Sequence, residues 1–188
     1  MSLNHPFHPK YNPKRWNKNK YTKKSHNCYS YALNLKKTRK AKKCKKYMNK
    51  TMKPNCNHLK PQPGKYTRLN IDFKKHDKTC KNIIQRMMKD NKYMKKTIPH
   101  KKVPYGYYKI ALATIPDKSS YHFYRQDKNG LWSHKDGAGR ATNKDIKGRL
   151  IHDPKKAERG KYKHFCGYFI VPISSKKKKM SSFTRKIK

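Results

Sequence analysis

The first 71 residues of this 188-residue chain contain 20 lysines or arginines and not one aspartate or glutamate. A segment without carboxylates cannot form internal ion pairs, so a compact state is easier to keep when counterions or an anionic partner screen its cations. The whole chain carries 52 basic and nine acidic residues, a formal net charge of +43. This balance predicts a polyanion-binding protein, most simply one that binds nucleic acid by neutralising its phosphates.

The acidic residues divide the chain into three parts. All nine lie between Asp72 and Glu158, and residues 159–188 contain ten lysines or arginines and no acid. We therefore expect a basic extended arm (1–24), a single domain (25–172) with a lysine-rich insertion (36–60), and a basic tail (173–188). The predicted nucleic-acid contacts are Lys14, Arg15, Lys18, Lys20, Lys23, Lys24, Lys36, Lys37, Arg39, Lys40, Lys42, Lys43, Lys45, Lys46, Lys176, Lys177, Lys178 and Lys179.

Lysine outnumbers arginine by 43 to nine. Lysine acts as a mobile point charge, whereas arginine supplies the bidentate fork that reads guanine edges. The bias favours backbone contact or packaging over base-specific readout, so we expect binding with little sequence preference and a steep dependence on salt. A genome poor in G and C explains the same bias equally well, because Lys, Asn, Ile and Tyr are all frequent.

Composition also bears on the core and on the cellular environment. Hydrophobic residues make up 33% and aromatic residues 12% of the chain, which predicts one modest core rather than a disordered basic tail. No stretch approaches the ~18 consecutive apolar residues of a membrane span, so we expect no membrane insertion. The first residues lack the apolar region of a signal peptide, and five irregularly spaced cysteines do not suit a secreted disulfide framework. We therefore predict a reducing compartment and no secretion.

Helices are predicted in the first half of the domain and strands in the second. Ser25 or Asn27 is a candidate cap for a short helix, and apolar spacing predicts an amphipathic helix over 79–96. Strands are predicted at 107–115, 121–125, 131–134 and 165–171, with an edge piece at 148–151. Asn129-Gly130 is a hairpin signal between the second and third of these strands. The order predicts an α+β fold in which an N-terminal helix carrying Cys28 packs on an antiparallel sheet.

A candidate site for chemistry centres on Cys28, which opens the predicted short helix. A helix N-terminus and a positive surrounding field both favour the thiolate, which can act as a nucleophile beside backbone N–H groups. His122 and His134 are twelve residues apart across the hairpin, which predicts neighbouring imidazoles, with His122 as base and His134 as its orienter. The alternative is a small buried cysteine and two sheet histidines that are satisfied by hydrogen bonds.

Three segments, NCYSYALN (27–34), YHFYRQDKNGLWSHKDG (121–137) and HFCGYFIVP (164–172), resemble an uncharacterised domain of bacteria and of giant DNA viruses (mimivirus-like). The order of a cysteine opening a helix, a histidine on a strand and a polar residue on the next strand is similar to NlpC-type and papain-like thiol hydrolases. The resemblance covers roughly half of the chain and implies Cys28 as nucleophile, His122 as base and His134 as third member. This sequence departs from the NlpC pattern at Asn27, where the pattern has an aspartate, and in its long lysine-rich interval after Cys28.

Three functions follow from the charge and the resemblance. The first is a nucleic-acid-binding component of a virus particle, in particular a DNA-binding one, located in the virion interior or in the viral factory of the host cytoplasm. The second is a cysteine peptidase, amidase or acyl hydrolase that its basic arms tether in place. The third is a capsid-interior or ribosome-type scaffold, whose partners are RNA or acidic virion proteins.

Two pairs of soft ligands raise the alternative of a bound zinc ion. Cys56 lies two residues before His58, and His76 lies four residues before Cys80, a spacing that puts two ligands on one helix face. Neither pair has the common spacing of two intervening residues between cysteines. Isolated side chains in a cationic loop, with no cofactor, are therefore the competing interpretation. Of the other cysteines, Cys44 has no partner close in sequence and Cys166 is expected in the core.

Overall fold

A six-stranded antiparallel sheet and five α-helices form the part of the chain that this computed structural model describes, residues 8–67 and 78–173. The helices are α1 (Lys14–Asn17), α2 (Lys20–Ser25), α3 (Cys28–Ala32), α4 (Thr38–Thr51) and α5 (Cys80–Asp90), with short 3₁₀ turns at Asn57–Leu59 and Lys65–Thr67. The strands are β1 (Lys95–Thr97), β2 (Tyr107–Thr114), β3 (Tyr121–Gln126), β4 (Trp132–Lys135), β5 (Ala141–Thr142) and β6 (His164–Pro172). The predicted α+β class is confirmed. Within the described ranges, no helix has the length and apolar character needed to cross a membrane.

The strand order across the sheet is β1-β6-β2-β3-β4-β5, and each neighbouring pair is antiparallel. The predicted hairpin at Asn129-Gly130 joins β3 to β4. Gly130 has a φ of 83°, a conformation that glycine adopts without a steric penalty. The N–H of Asp127 donates to the carbonyl of Leu131 at 2.8 Å and closes the turn. The predicted edge piece at 148–151 forms isolated bridges and no regular strand.

The sheet has two different faces because side chains alternate along each strand. On one face, α3 and α5 bury a core that includes Tyr29, Ile83, Met87, Tyr121, Phe123 and Phe169. The opposite face has a second core that includes Ala113, Tyr124, Trp132, Ile151 and Tyr168. Cys28 belongs to the helix-side core, whereas His122 alternates with Tyr121 and Phe123 and so projects from the other face.

The segment predicted as one helix over 79–96 is divided between two elements. α5 ends at Asp90, and Asn91 leaves the helical conformation with a φ of −148° and a ψ of 95°. Lys95–Thr97 pairs with β6 as the edge strand β1. Met94 is buried in the helix-side core. An apolar residue at this position suits a continued helix as well as the approach to a strand, so hydrophobic spacing alone could not distinguish the two.

The prediction of an extended arm is wrong for residues 8–24, the described part of that segment. These residues form α1 and α2, and Trp16 is buried with its ring 5.0 Å from that of Tyr31. The side chain of Asn17 donates to the carbonyl of Ala141 at 3.0 Å and accepts from its N–H at 2.7 Å. These long-range contacts hold the segment on the domain. Of the predicted tail, residues 174–188 lie outside the described residues.

Two disulfides correct the predicted role of the cysteines. Cys44 of α4 is bonded to Cys56, and Cys80 of α5 is bonded to Cys166 of β6. The second pair is 86 residues apart in sequence, although its Cα atoms are 5.3 Å apart. Cys28 is the free cysteine. The sequence offered Cys44 no partner close by, whereas it is bonded to Cys56, 12 residues away. Cys166, expected in the core, does pack against the helix-side core, but its bond to Cys80 was not predicted, because pairing depends on proximity in the fold.

Candidate functional site

Cys28 is the first residue of α3 and contacts the backbone of β3. The side chain of Asn27 caps α3 by accepting from the N–H of Ser30 at 3.1 Å, and its amide donates to the carbonyl of Pro61 at 2.8 Å. Cys28 Sγ lies 4.0 Å from the carbonyl oxygen of Tyr121. Asn27, rather than Ser25, is thus the cap. It orients the helix start so that the thiol lies next to the strand that carries His122.

The prediction that Cys28 favours the thiolate is wrong. The side chain is only 5% exposed, and burial raises the pKa of its thiol to about 11. The backbone N–H of Phe123 and the charge of Lys135 lower this pKa, while Asp136 raises it further, and burial outweighs them all. α3 has only five residues and therefore a weak dipole. The thiol is neutral at neutral pH, so any nucleophilic role requires a base.

The β3–β4 hairpin places the two predicted histidines in direct contact. Tyr124 pairs with His134 across the strands, which makes His122 the diagonal neighbour of His134. His122 Nε2 lies 2.8 Å from His134 Nδ1, and His134 Nε2 lies 3.0 Å from the carbonyl oxygen of Lys144. The predicted side-by-side arrangement is therefore present.

The carbonyl of Lys144 assigns the protons along this chain of hydrogen bonds. A carbonyl oxygen only accepts, so His134 Nε2 carries a hydrogen and Nδ1 of the neutral ring is an acceptor. His122 Nε2–H then donates to His134 Nδ1, which leaves His122 Nδ1 unprotonated. Burial lowers the pKa of both histidines, and for His122 the neighbouring His134, Lys135 and Lys161 lower it further. Both rings are thus neutral at neutral pH, and His122 presents one basic nitrogen.

His122 lines two cavities. One, of about 240 Å³, is lined by Cys28 and His122 together with Lys60, Lys78 and Tyr162. The other, of about 220 Å³, is lined by His122 and His134 together with Tyr124 and Tyr162. The hydrogen-bond acceptor of Cys28 Sγ in the described structure is the Tyr121 carbonyl and not the His122 ring. The structure therefore brings all three predicted residues to one end of β3, with the two histidines in contact and the thiol sharing a cavity with His122.

Lys135 is a residue of this site that the sequence did not single out. Its buried Nζ donates to the carbonyls of Lys23, His26 and Gly137 at 2.7–2.8 Å. Burial, with the nearby charge of Lys60, lowers its pKa to about 7. Nothing in the sequence distinguishes this lysine from the many exposed ones. The role of the Lys144 carbonyl could not be predicted either, because every residue has a backbone carbonyl.

The predicted polyanion contacts fall into three groups. Lys14, Arg15, Lys18, Lys20, Lys37, Arg39, Lys42, Lys43, Lys45 and Lys46 are exposed; Lys23, Lys24, Lys36 and Lys40 are half-buried; and Lys176, Lys177, Lys178 and Lys179 lie outside the described residues. Lys40 turns inward, where its Nζ donates to the carbonyl of Leu59 at 2.7 Å and burial lowers its pKa to about 8. α1 contacts α2, and α2 packs on α4, so the exposed cations of these helices lie on neighbouring elements. We define the lysine surface as Lys14, Arg15, Lys18, Lys20, Arg39, Lys42, Lys43, Lys45, Lys46 and Lys50.

The candidate zinc ligands that the structure describes, Cys56, His58 and Cys80, do not form a metal site. Cys56 and Cys80 are each committed to a disulfide, and the ring of His58 packs against that of Tyr47 at 4.3 Å. His76 lies outside the described residues. Across residues 8–67 and 78–173 there is no group of three or more Cys, His, Asp or Glu side chains able to hold a metal ion.

Comparison with known proteins gives one partial similarity. A stretch of 62 residues is 50% identical to Insoluble matrix shell protein 1 of Ruditapes philippinarum. It spans 33% of this chain and 41% of that protein, so the chain covers less than half of this relative. No protein-family model matches the chain, and no solved structure matches it.

These findings overturn the predicted location. Disulfides form and persist in oxidising surroundings, and this fold contains two. The relative is described as a matrix protein of a shell. Both observations indicate an extracellular or secreted protein, so the expectation of a virion interior or host cytoplasm, without secretion, is wrong. The sequence argument failed because cysteine spacing does not report which thiols meet in the fold.

Proposed function

We propose that this chain is a secreted, disulfide-stabilised protein that binds polyanions through its lysine surface, with little preference for the sequence of the bound polymer. The observation that carries the proposal is the surface itself. The described residues 8–67 expose basic side chains on three packed helices and contain no carboxylate to pair with them. Duplex DNA, expected from the sequence, and a sulfated polysaccharide present the same dense anionic chemistry to such a surface.

α4 shows why this surface supports an external partner. Arg39 and Lys43, Lys42 and Lys46, and Lys46 and Lys50 are like-charge pairs at i, i+4, each of which destabilises a helix by about 0.2–0.5 kcal/mol. The helix buries only Ala41 and Cys44 in return. A polyanion laid along α4 would relieve this repulsion, so binding and helix stability should reinforce each other.

The partly similar shell protein supports an extracellular location for this chain. That relative is an insoluble matrix shell protein, which suggests for this chain a structural role among extracellular macromolecules. The matched stretch covers only 41% of that relative, so we propose this role for the present chain and do not infer it from the similarity alone. Because the setting is oxidising, the partner that we propose is an extracellular polyanion.

Substitution of matched sets of lysines tests the lysine surface. One variant changes Lys42, Lys43, Lys45 and Lys46 to Gln, and the control changes Lys144, Lys147, Lys155 and Lys156 to Gln, all of them exposed. We expect the α4 variant to reduce the slope of log affinity against log salt by about 1 per lysine, about 4 in total, for duplex DNA and for heparin. The control should reduce it by less than about 1. Equal slopes for the two variants would contradict the proposal.

The hydrogen-bonded histidines favour a second candidate function, acyl transfer by Cys28. For this, His122 Nδ1 would have to reach Cys28 Sγ through the cavity that both residues line. It would then take the thiol proton as Sγ bonds to a substrate carbonyl, and the imidazolium would return that proton to the leaving group. Water would then cleave the thioester and regenerate the thiol. His134 would act through His122, because its Nδ1 accepts from His122 Nε2–H. Since the Cys28 pKa is raised and the His122 pKa is lowered, this proton transfer is unfavourable until a bound carbonyl accepts the charge.

A nitrophenyl ester tests this second function. The wild type should release nitrophenolate in a burst of one equivalent per Cys28 thiol, and Cys28→Ser and His122→Ala should remove the burst. His152→Ala, at an exposed position, is the matched control. A burst that survives in His122→Ala would exclude the role of this histidine as base.

A further inference from the structure

A second acid-free basic region lies at the opposite edge of the sheet from the lysine surface. Residues 91–116 contain no aspartate or glutamate. Five of their lysines are exposed on β1, just before it and on the following loop; we define the β1-edge patch as Lys92, Lys95, Lys96, Lys101 and Lys102. None of them belongs to the contacts that the sequence predicted, because they are spread between apolar residues and form no continuous run.

The β1-edge patch is held in place by the fold. Lys95 and Thr97 pair with Ile170 and Tyr168 of β6, so the strand is fixed to the sheet. The buried Lys109 of β2 donates through its Nζ to the carbonyl of Pro99 and secures the loop that carries Lys101 and Lys102. The patch therefore follows the sheet edge: Lys95 and Lys96 lie on β1, and the other three lysines lie on the segments that flank it.

The positions of the two cationic regions follow from the strand order. β1 is the first strand of the sheet and β5 the last. α1 is tied to β5 by the hydrogen bonds of Asn17 with Ala141, and α2 is tied to β4 by Lys135. The five steps between the outer strands, each ~4.8 Å, separate the edges by about 24 Å. This exceeds the Debye length of ~8 Å at physiological salt, so the two regions attract anions independently of each other.

We propose that the β1-edge patch is a second polyanion-binding site and that the chain thereby bridges two separate polyanion chains. The inference rests on polyanion binding at the lysine surface and extends it from binding to cross-linking. A polymer on the lysine surface leaves the opposite edge open to another. The ligand is a dense anionic polymer. The patch binds phosphate and sulfate groups alike because lysine acts as a point charge.

Energy transfer between two short DNA duplexes, one with a donor and one with an acceptor dye, measures bridging by the full-length protein. In the edge variant, Lys92, Lys95, Lys96, Lys101 and Lys102 are changed to Gln. The matched control changes Lys128, Lys144, Lys147, Lys155 and Lys156, which are also exposed. Both variants should retain one free thiol and the far-UV spectrum of the wild type.

The edge variant should bind a single duplex within about threefold of the control while losing at least tenfold in bridging. Equal bridging by the two variants would overturn the inference, as would a wild type that binds one duplex and brings no second one to it. A wild type that binds no duplex would instead overturn the proposed function, and the inference with it. Labelled heparin must rank the variants in the same order; equal bridging of heparin by both variants would also contradict the proposal.

Discussion

The α4 helix exposes its charged side chains to solvent, whereas the β3–β4 hairpin buries its polar side chains in a hydrogen-bonded network. α4 exposes Lys42, Lys43, Lys45 and Lys46, and no carboxylate lies on the helix or anywhere in residues 1–71. The hairpin buries Lys135 with three carbonyl acceptors and joins His122 to His134, which in turn bonds the Lys144 carbonyl.

This difference separates two uses of polar side chains. Exposed charges without internal partners contribute little to folding and are available to an external anion. Buried polar groups in a satisfied network hold a fixed geometry, and loss of one member leaves its neighbours without partners. Changes to α4 should therefore alter binding more than folding, and changes to the hairpin should do the reverse.

The two disulfides offer the largest test of this contrast. Loop-closure entropy predicts a loss of about 4.5 kcal/mol in unfolding free energy for Cys80→Ser with Cys166→Ser, and about 3 kcal/mol for Cys44→Ser with Cys56→Ser. Only the second pair anchors α4, so only its loss should weaken DNA binding. Urea denaturation and DNA titration of both variants check this. If the Cys80–Cys166 variant loses as much DNA affinity, the separation of roles does not hold.

Acid should weaken the junction between α2 and α4 through His26. The neutral ring donates from Nδ1 to the Thr22 carbonyl and accepts at Nε2 from the N–H of Lys37, just before α4. Burial lowers the His26 pKa to about 4, against the opposing effect of the Thr22 carbonyl and aided by Lys40, Lys135 and Lys36.

Below pH 6.5 the unfolded chain therefore binds the proton more readily than the folded one, and stability falls as the pH is lowered. Between pH 7 and pH 5 this group alone should reduce the unfolding free energy by about 2 kcal/mol, with further losses from His122 and His134. In His26→Gln, which keeps an acceptor but does not titrate, urea denaturation should show a drop smaller by about 2 kcal/mol. An unchanged drop would exclude His26 as the cause.

Single substitutions give the smallest effects and the most direct comparison. His134→Ala removes the acceptor of the buried His122 N–H and should lower the unfolding free energy by about 2 kcal/mol. Lys45→Ala on α4 should change it by less than about 0.5 kcal/mol and should stabilise the helix slightly at low salt. Chemical denaturation at two salt concentrations measures both. Comparable losses from the two substitutions would show that α4 is as internally satisfied as the hairpin.

Local sequence signals were sufficient for the four strands β2, β3, β4 and β6 and for the histidine pair, but not for the outer strands β1 and β5. Asn129-Gly130 predicts the hairpin, and the hairpin brings His122 and His134 together. The same strand alternation places Tyr121 and Phe123 in the helix-side core. These features depend on residues close in sequence, which is why the pattern was informative.

Features that depend on distant residues were missed. α1 and α2 are held by contacts of Trp16 with Tyr31 and of Asn17 with Ala141, which no local pattern reports. The raised pKa of Cys28 follows from burial, whereas the sequence suggested only its place at a helix start. The Cys80–Cys166 bond joins residues 86 positions apart, so the spacing of cysteines in the sequence could not predict it.

The dependence of DNA affinity on salt tests the central claim, polyanion binding by charge, most directly. If about ten phosphates are neutralised, the wild-type affinity should fall by about 10⁵ between 50 and 200 mM salt, with a log–log slope near −9. Duplexes of unrelated sequence should give the same slope and affinities within a few-fold of each other. A slope near zero, or a strong preference for one sequence, would contradict the account.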